Sequence, residues 1–166
     1  RDIKPGEIVV IGTDGVRSIT THCKGKGDIC VFEYIYFARP DSVIEGSSVQ
    51  HARMKAGAFL AKESPVDADI VIGVPDSGLD AALGYANESG IPFARPFIKY
   101  TPTWPRSFMP TSQTERNRVA KMKMVPVHDL IQNKSLLFVD DSIVRGTQLR
   151  ETVEFLYSNG AKEIHI

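Results

Sequence analysis

The stretch LLFVDDSIVRGTQLRE, residues 136–151, is the most informative part of the chain for its fold. Four apolar residues are followed by two adjacent aspartates, Asp140 and Asp141, and by a short loop that runs into a helical pattern. A short apolar run bounded in this way is typical of a buried strand in a parallel sheet. Ligands bind such sheets beyond the carboxyl ends of the strands, so the loop over 140–147 is a candidate binding site.

The rest of the chain repeats this alternation of apolar runs and helical patterns. The patterns predict a β-hairpin over 7–22 with a turn at Asp14-Gly15, strands over 29–38, 69–74, 91–98, 136–139 and 161–166, and helices over 47–64, 79–89 and 148–160. Strands that alternate with helices form βαβ units. We therefore expect an α/β fold, a doubly wound and mainly parallel sheet flanked by helices.

Composition narrows the class of protein. The chain has 166 residues, and its 20 basic and 20 acidic residues cancel, which argues against nucleic-acid binding through a broadly basic surface. No apolar run approaches the roughly 18 residues of a membrane span. The two cysteines, Cys23 and Cys30, form no CxxC pattern, which indicates a reducing cytoplasm. The charged break KGKGD at 24–28 is a candidate domain boundary.

The loop after Asp141 has the composition of a phosphate site. Backbone N–H groups at a helix N-terminus favour anions, Gly146 permits close approach, and the hydroxyls of Ser142 and Thr147 add donors. No Gly-Lys-Ser/Thr follows, so nucleotide hydrolysis is disfavoured. The aspartates can accept hydrogen bonds from hydroxyls or hold a divalent cation. A ligand with a phosphate at one end and hydroxyls or a bound metal at the other is a sugar phosphate. The alternative is an Asp-Ser cap with a spare acid on a surface turn.

A second candidate loop, Val74-Pro75-Asp76-Ser77-Gly78, follows the strand predicted over 69–74. It exposes N–H groups at the start of the helix predicted over 79–89, which makes it a second anion site at the same edge of the sheet. A Pro-Asp-Ser-Gly turn is also common without any function, so this loop gains weight only through its pairing with the first.

The stretch FVDDSIVRGT resembles the phosphoribosyl-pyrophosphate (PRPP) signature of type I phosphoribosyltransferases, and its Ser-Ile-Val-Arg variant is similar to the amidophosphoribosyltransferase family. Three other stretches resemble that family in order and spacing: CVFEYIYFARPDS (30–42), GVPDSGLDAALGYANESGIPF (73–93) and RSFMP (106–110). The resemblance implies a type I phosphoribosyltransferase domain over 28–166, truncated at its C-terminus. It also implies that residues 1–27 are the tail of a preceding glutaminase-like domain.

The resemblance implies a pentosyltransferase of purine biosynthesis, in which ammonia displaces pyrophosphate from PRPP to give 5-phosphoribosylamine. Ammonia would come from glutamine in a domain that these residues lack, and the family pattern implies a homo-oligomer. One alternative is a phosphoribosyltransferase with a nucleobase as acceptor, which the amidotransferase-like segment at 30–42 disfavours. The other is a PRPP-binding regulatory module without chemistry.

Site residues follow from the same resemblance. It implies catalytic roles for Asp140, Asp141, Arg106 and Lys123, and PRPP binding by Asp76, Ser77, Gly78, Lys99, Asp140, Asp141, Ser142, Ile143, Val144, Arg145, Gly146 and Thr147. Mg²⁺ would be held by Ser77, Asp140 and Asp141. Cys30 matches the first ligand of a 4Fe–4S cluster that some members carry, but one cysteine cannot form a cluster site, and a buried strand cysteine is the expected role.

The segment between the two loops is basic and departs from the family pattern. Its stretch from Lys99 to Lys123 contains six bases (Lys99, Arg106, Arg116, Arg118, Lys121 and Lys123) and one acid, Glu115. Such a run is most often a solvated face, and this is the expected role of Arg116 and Arg118. The stretch YTPTWPRSF (100–108) is proline-rich and one residue longer than usual for the expected substrate lid, so closure of the lid is in question.

Overall fold

The computed structural model describes residues 3–25, 27–99, 124–143 and 146–166. The chain divides into two compact units, Arg1–Glu33 and Tyr34–Ile166. The predictions made for the lid at 100–108 and for the bases from Arg106 to Lys123 lie outside the described residues. No helix in the described ranges is long and apolar enough to cross a membrane.

The first unit contains the expected β-hairpin. Strands β1 (Ile8–Gly12) and β2 (Gly15–Ile19) pair antiparallel, with Gly12 opposite Gly15 across the turn. Gly15 has φ of +112°, a conformation that only glycine adopts readily, so the turn depends on this residue. The hairpin predicted from the Asp-Gly signal is confirmed.

The strand predicted over 29–38 is wrong. Residues Glu33–Phe37 form a π-helical turn instead. The buried guanidinium of Arg53 donates to the backbone oxygens of Tyr34 at 2.6 Å and Ala38 at 2.9 Å, so these carbonyls bond to a side chain rather than to a neighbouring strand. The aromatic content that indicated a strand reflects packing preference, which depends on context.

The expectation of a buried strand cysteine at position 30 is wrong as well. Cys30 is exposed, and residues 27–30 belong to no helix or strand. Within the described part of the chain, this segment pairs with no strand that would bury it.

The second unit is organised around a parallel sheet. Strands β5 (Ile70–Gly73), β8 (Ser135–Val139) and β9 (Glu163–His165) pair in the order β5-β8-β9. Two antiparallel ribbons accompany it, β3 (Val43–Ile44) with β4 (Ser47–Ser48) and β6 (Phe97–Lys99) with β7 (Met124–Pro126), and a 3₁₀ turn spans His128–Leu130. The predicted strands at 69–74, 136–139 and 161–166 are confirmed.

The strand predicted over 91–98 is interrupted. Phe93 forms a parallel bridge with Val71 on the other edge of β5, and strand geometry resumes only at β6. Pro92 and Pro96 contribute carbonyls, to the N–H groups of Val71 and Val127, but have no N–H to donate. Two prolines therefore limit this segment to a bridge and a short ribbon.

Among the described residues, three helices cover the sheet: α1 (Val49–Glu63), α2 (Leu79–Ser89) and α3 (Thr147–Ser158). Alternate strand residues point to opposite faces. One face of the sheet packs against α1 and α2, in a cluster of Val71, Leu137, Val139, Ala61, Ala82, Tyr85 and Ala86. The other face packs against α3, in a cluster of Ile70, Ile72, Leu136, Phe138 and Leu156 that also includes Phe97 and Ile131. Helices on both faces of a parallel sheet confirm the predicted α/β fold and its helices.

Helices α1 and α2 touch backbone to backbone. A Cβ atom at Gly57 would collide with the carbonyl oxygen of Ala81, and one at Gly84 would collide with that of Met54. Two glycines at the helix crossing thus set the spacing of this layer and, through it, the position of α2, whose first turn borders the candidate site.

Candidate active site

The two candidate loops begin side by side at the carboxyl edge of the sheet. Gly73, the last residue of β5, lies opposite Val139, the last residue of β8. The N–H of Val74 donates to the carbonyl oxygen of Val139 at 2.9 Å, which extends the ladder one step beyond β5. Because both strands end together, the chain enters the two loops at neighbouring points.

The first loop is a tight turn packed against the second strand. The N–H of Gly78 donates to the oxygen of Val74 at 2.9 Å, and Gly78 is buried with no room for a side chain: a Cβ there would lie 2.6 Å from the oxygen of Val139. The Pro75–Asp76 peptide bond is cis. Asp76 is exposed and Ser77 half-buried, so both side chains border solvent at the sheet edge.

Both helices that start at these loops have glycine as their N-cap residue. Gly78 precedes α2, and Gly146, with φ of +67°, precedes α3. Helix α1 differs, because its N-cap Ser48 accepts a hydrogen bond from the N–H of His51. A glycine cap offers no side-chain acceptor, so the first-turn N–H groups of α2 and α3 remain suited to an external anion.

The aspartate pair follows β8 and is held by short local hydrogen bonds. The N–H of Asp141 donates to Oδ1 of Asp140 at 2.8 Å, and the hydroxyl of Ser142 donates to Oδ1 of Asp141 at 2.8 Å. The other oxygen of Asp141, Oδ2, is buried and has no hydrogen-bond partner within the described ranges. A buried carboxylate oxygen without a partner is costly, and a cation or a ligand hydroxyl would supply one.

The negative charge of Asp140 is unfavourable in the folded chain. Burial raises the pKa of Asp140 above its ordinary 3.8, and the adjacent charge of Asp141 raises it further, while the backbone N–H groups of Asp141 and Ser142 partly offset both effects. Desolvation and a like charge both disfavour the ionised carboxylate. Such a perturbed acid beside two anion-accepting helix ends marks a candidate functional site.

The structure places the predicted residues unevenly. Asp76, Ser77 and Gly78 lie on the first loop, and Asp140, Asp141, Ser142, Ile143 and Gly146 lie on the second. Arg106, Lys123, Val144 and Arg145 lie outside the described residues, as do the side chains of Lys99 and Thr147. The backbone of Lys99 ends β6, opposite Met124.

Potential metal ligands are few in the described ranges. They contain no group of three or more His, Cys, Asp or Glu side chains that could hold a metal ion. The predicted Mg²⁺ set has only two carboxylates and adds the hydroxyl of Ser77, so it is not a cluster of that kind. Cys30 is an exposed free thiol in the first unit.

One polar residue near the site was not singled out from the sequence. Asp80, in the first turn of α2, accepts a hydrogen bond from Gln50 on α1 at 3.4 Å, and its second oxygen is buried without a partner in the described part of the chain. An acid in a first helical turn is common, so the sequence carried no specific signal for it.

A parallel sheet covered on both faces, with a carboxylate pair and two glycine-capped helix N-termini at its carboxyl edge, is the type I phosphoribosyltransferase fold, as the comparisons with solved structures show. The chain superposes with a TM-score of 0.85 on a structure described as the allosteric regulatory enzyme of purine biosynthesis, with 44% identity over 99% of this chain and 35% of that one. The glutamine PRPP amidotransferase of B. subtilis, complexed with ADP and GMP, gives a TM-score of 0.84 and 44% identity over 99% and 36%.

The relatives that match in sequence are amidophosphoribosyltransferases. The chain is 49% identical over its whole length to the amidophosphoribosyltransferase of Mycobacterium tuberculosis, covering 31% of it, and 45% identical to that of Pyrococcus horikoshii, covering 36%. A chloroplastic amidophosphoribosyltransferase of Glycine max is 45% identical over the whole chain, which covers 29% of it.

The predicted resemblance is therefore confirmed: the chain is a homologue of amidophosphoribosyltransferases along its whole length. It spans about a third of the length of the curated relatives that it matches. No model of a protein family matches the chain.

Proposed function

We propose that this chain forms the PRPP-binding and phosphoribosyl-transferring part of an amidophosphoribosyltransferase of purine biosynthesis. Ammonia would displace pyrophosphate from C1 of PRPP and give 5-phosphoribosylamine. The observation that carries this proposal is the pairing of two glycine-capped helix N-termini with Asp140 and Asp141 at adjoining strand ends. PRPP needs two separate anion sites with polar acceptors for its ribose between them.

Each loop is assigned the part of PRPP that its chemistry suits. The loop over 142–147 would hold the 5-phosphate, through N–H groups at the start of α3 and the open space beside Gly146, where a Cβ would meet no described atom. The loop over 75–78 would hold pyrophosphate, through the N–H groups at the start of α2. The two phosphate sites fix the sugar at both ends and position C1 for attack.

The residues proposed for Mg²⁺ fit a hard cation. Asp140 and Asp141 offer carboxylate oxygens, Ser77 offers a hydroxyl, and the buried Oδ2 of Asp141 lacks any other partner within the described ranges. A divalent cation would also favour the ionised form of Asp140, whose pKa is raised by burial and by the adjacent charge of Asp141. When bound, Mg²⁺ supplies charge neutralisation of the pyrophosphate.

Transfer at C1 needs no nucleophilic side chain. Cleavage of the C1–O bond builds positive charge on the ribose, which the carboxylates of Asp140 and Asp141 favour. The negative charge of the departing pyrophosphate would be met by the first-turn N–H groups of α2 and by the bases Lys99, Arg106 and Lys123.

Several wider features are part of the same proposal. Residues 28–166 would be the phosphoribosyltransferase domain and 1–27 the end of a glutaminase-like domain that supplies ammonia from glutamine. The complete protein would be a homo-oligomer. Its compartment would be a reducing one such as the cytoplasm, because Cys23 and Cys30 are both free thiols. A cluster at Cys30 would need further cysteines from outside this chain.

The proposal is tested by calorimetric titration of the folded chain with PRPP, with and without Mg²⁺, against ribose 5-phosphate as a control ligand. We expect Mg²⁺-dependent binding of PRPP that is tighter than binding of ribose 5-phosphate. Asp140→Asn and Asp141→Asn should each weaken it by about 1–3 kcal/mol, the range for a hydrogen bond to a charged group. Asp67→Asn makes the same change of charge at an exposed position before β5, at the other end of the strand, and should leave binding unchanged.

Unchanged PRPP affinity in both site variants would refute the roles of the aspartates, and absence of PRPP binding by the folded chain would refute the proposed function. Release of pyrophosphate that depends on added ammonia separates the transferase from the regulatory alternative, which would bind PRPP without turnover. Turnover with a nucleobase in place of ammonia would favour the other alternative.

A further inference from the structure

The hydroxyl of Ser142 is already engaged within the loop. It donates to Oδ1 of Asp141 at 2.8 Å, although the Ser142 side chain is exposed to solvent. A serine hydroxyl has a single hydrogen to donate. While it serves Asp141, it presents only lone pairs to any other group, and lone pairs repel an anion. The hydroxyl therefore cannot act as a phosphate donor and hold Asp141 at the same time.

This bond determines which oxygen of Asp141 stays free for a ligand. Oδ1 is occupied by Ser142, and Oδ2 is buried without a partner in the described part of the chain. The same residue is fixed on its backbone side, because its N–H donates to Oδ1 of Asp140 at 2.8 Å. Two hydrogen bonds thus restrain both the side chain of Asp141 and its link to Asp140, as outer partners restrain the ligands of a metal.

We infer that Ser142 is a positioning residue: its hydroxyl orients the Asp141 carboxylate so that Oδ2 is the oxygen offered to a divalent cation or a ribose hydroxyl, and it does not donate to the phosphate. The inference rests on the proposed function, because it assigns a task within the proposed PRPP site. The phosphate remains served by backbone N–H groups of the loop and of α3.

Ser142→Ala and Ser142→Thr separate the two possible tasks of the hydroxyl. The alanine variant should raise the Mg²⁺ concentration needed for half-maximal PRPP binding by about tenfold, as for loss of a hydrogen bond to a charged group. Its affinity for ribose 5-phosphate without Mg²⁺ should stay within about twofold of the parent chain, because the phosphate contacts are intact. Threonine keeps the hydroxyl and should restore most of the Mg²⁺ response. Thermal melting confirms that each variant is folded.

A double-mutant comparison tests whether Ser142 acts through Asp141. In an Asp141→Asn background, Ser142→Ala should have little further effect on PRPP binding, since residues that act as a unit are not additive. Additive losses, a matching loss of ribose 5-phosphate affinity, or an unchanged Mg²⁺ requirement in Ser142→Ala would each overturn the inference. If the parent chain bound no PRPP, the proposed function would fall and the inference with it; if the parent bound PRPP and the alanine variant matched it, only the inference would fall.

Discussion

Gly78→Ala is the substitution that most directly tests the contact between the first loop and the end of β8. The backbone of Gly78 has φ of −79° and ψ of −9°, which alanine adopts without strain, so the substitution changes only the space that is filled. The added Cβ would lie 2.6 Å from the carbonyl oxygen of Val139 and 3.0 Å from the nitrogen of Val74, where ordinary contact begins at 3.4 Å.

The size of the expected loss of stability and function follows from the atoms that the new methyl group contacts. Relief of the overlap with the Val139 oxygen requires about 0.8 Å of movement, the difference between 3.4 and 2.6 Å. That oxygen accepts a hydrogen bond from the N–H of Val74 at 2.9 Å, so the strand end cannot yield cheaply and the 75–78 loop must move instead. Overpacking of this kind costs about 1–3 kcal/mol of stability. A displacement near 1 Å at a reacting centre can cost up to about 100-fold in rate. That factor corresponds to about 2.7 kcal/mol, so the losses of function and of stability should be comparable in free energy.

The assay pairs thermal melting with titration of PRPP in the presence of Mg²⁺. We expect Gly78→Ala to fold, to melt at a lower temperature and to lose most Mg²⁺-dependent PRPP binding while it retains affinity for ribose 5-phosphate, whose proposed site lies on the other loop. Gly25→Ala is the control, because its added Cβ would meet nothing within 4 Å. A Gly78→Ala variant that melts and binds PRPP like the parent chain would refute the packing of these loops as the basis of the site.

Two further predictions concern stability. Gly84→Ala should lower the free energy of unfolding by about 1–3 kcal/mol or more, because the added Cβ collides with the backbone oxygen of Met54. Urea denaturation measures this loss, and a loss below about 0.5 kcal/mol would show that α1 and α2 separate easily. Asp140→Asn should raise the free energy of unfolding of the Mg²⁺-free chain near pH 7 but not below pH 3.8, the ordinary pKa of the group. The raised pKa of Asp140 contributes stability that is fully present below this value and is lost as pH rises through the folded-state pKa. Urea denaturation at several pH values measures the difference between variant and parent, and a difference that does not grow with pH would contradict the prediction.

The central strands were predictable because their environment leaves a direct mark on the sequence. Strands β5 and β8 are buried along their whole length, and a strand buried on both faces is a continuous apolar run. Helix α2 was predictable at both ends, since Gly90 stops it with φ of +76° and the Pro-Asp-Ser-Gly turn starts it. In these elements local chemistry and tertiary packing favour the same structure.

The segment over 29–38 could not be predicted in this way, because its conformation depends on a distant residue. Its aromatic and β-branched side chains favour a strand, yet Phe37 is 67% exposed and the backbone oxygens of Tyr34 and Ala38 bond to Arg53. Arg53 follows them by 19 and 15 residues and belongs to α1. Nothing in the composition of the segment indicates that its carbonyls have a side-chain donor.

The candidate site likewise has features that the local sequence predicts and features that depend on distant residues. That both loops would lie at one edge followed from parallel strands and their carboxyl ends. The contact of Gly78 with Val139 depends on the register that sets Gly73 opposite Val139, and register is not visible in either strand alone. The bond from Ser142 to Asp141 joins neighbours in the sequence, but the sequence alone did not reveal which of several acceptors the hydroxyl would choose.

The cost of the site in the ligand-free chain is itself an argument for what it binds. Helix α1 has a serine cap whose oxygen accepts a hydrogen bond from the first turn, whereas α2 and α3 begin with glycines that have no side chain to do so. Beside them lie a carboxylate whose pKa is raised and a second with a buried oxygen that has no partner in the described ranges. A phosphate alone would satisfy the helices but repel the aspartates, and a cation alone would do the reverse. A ligand that brings phosphate groups together with hydroxyls or a cation, as proposed for PRPP with Mg²⁺, suits both kinds of group in the described part of this edge.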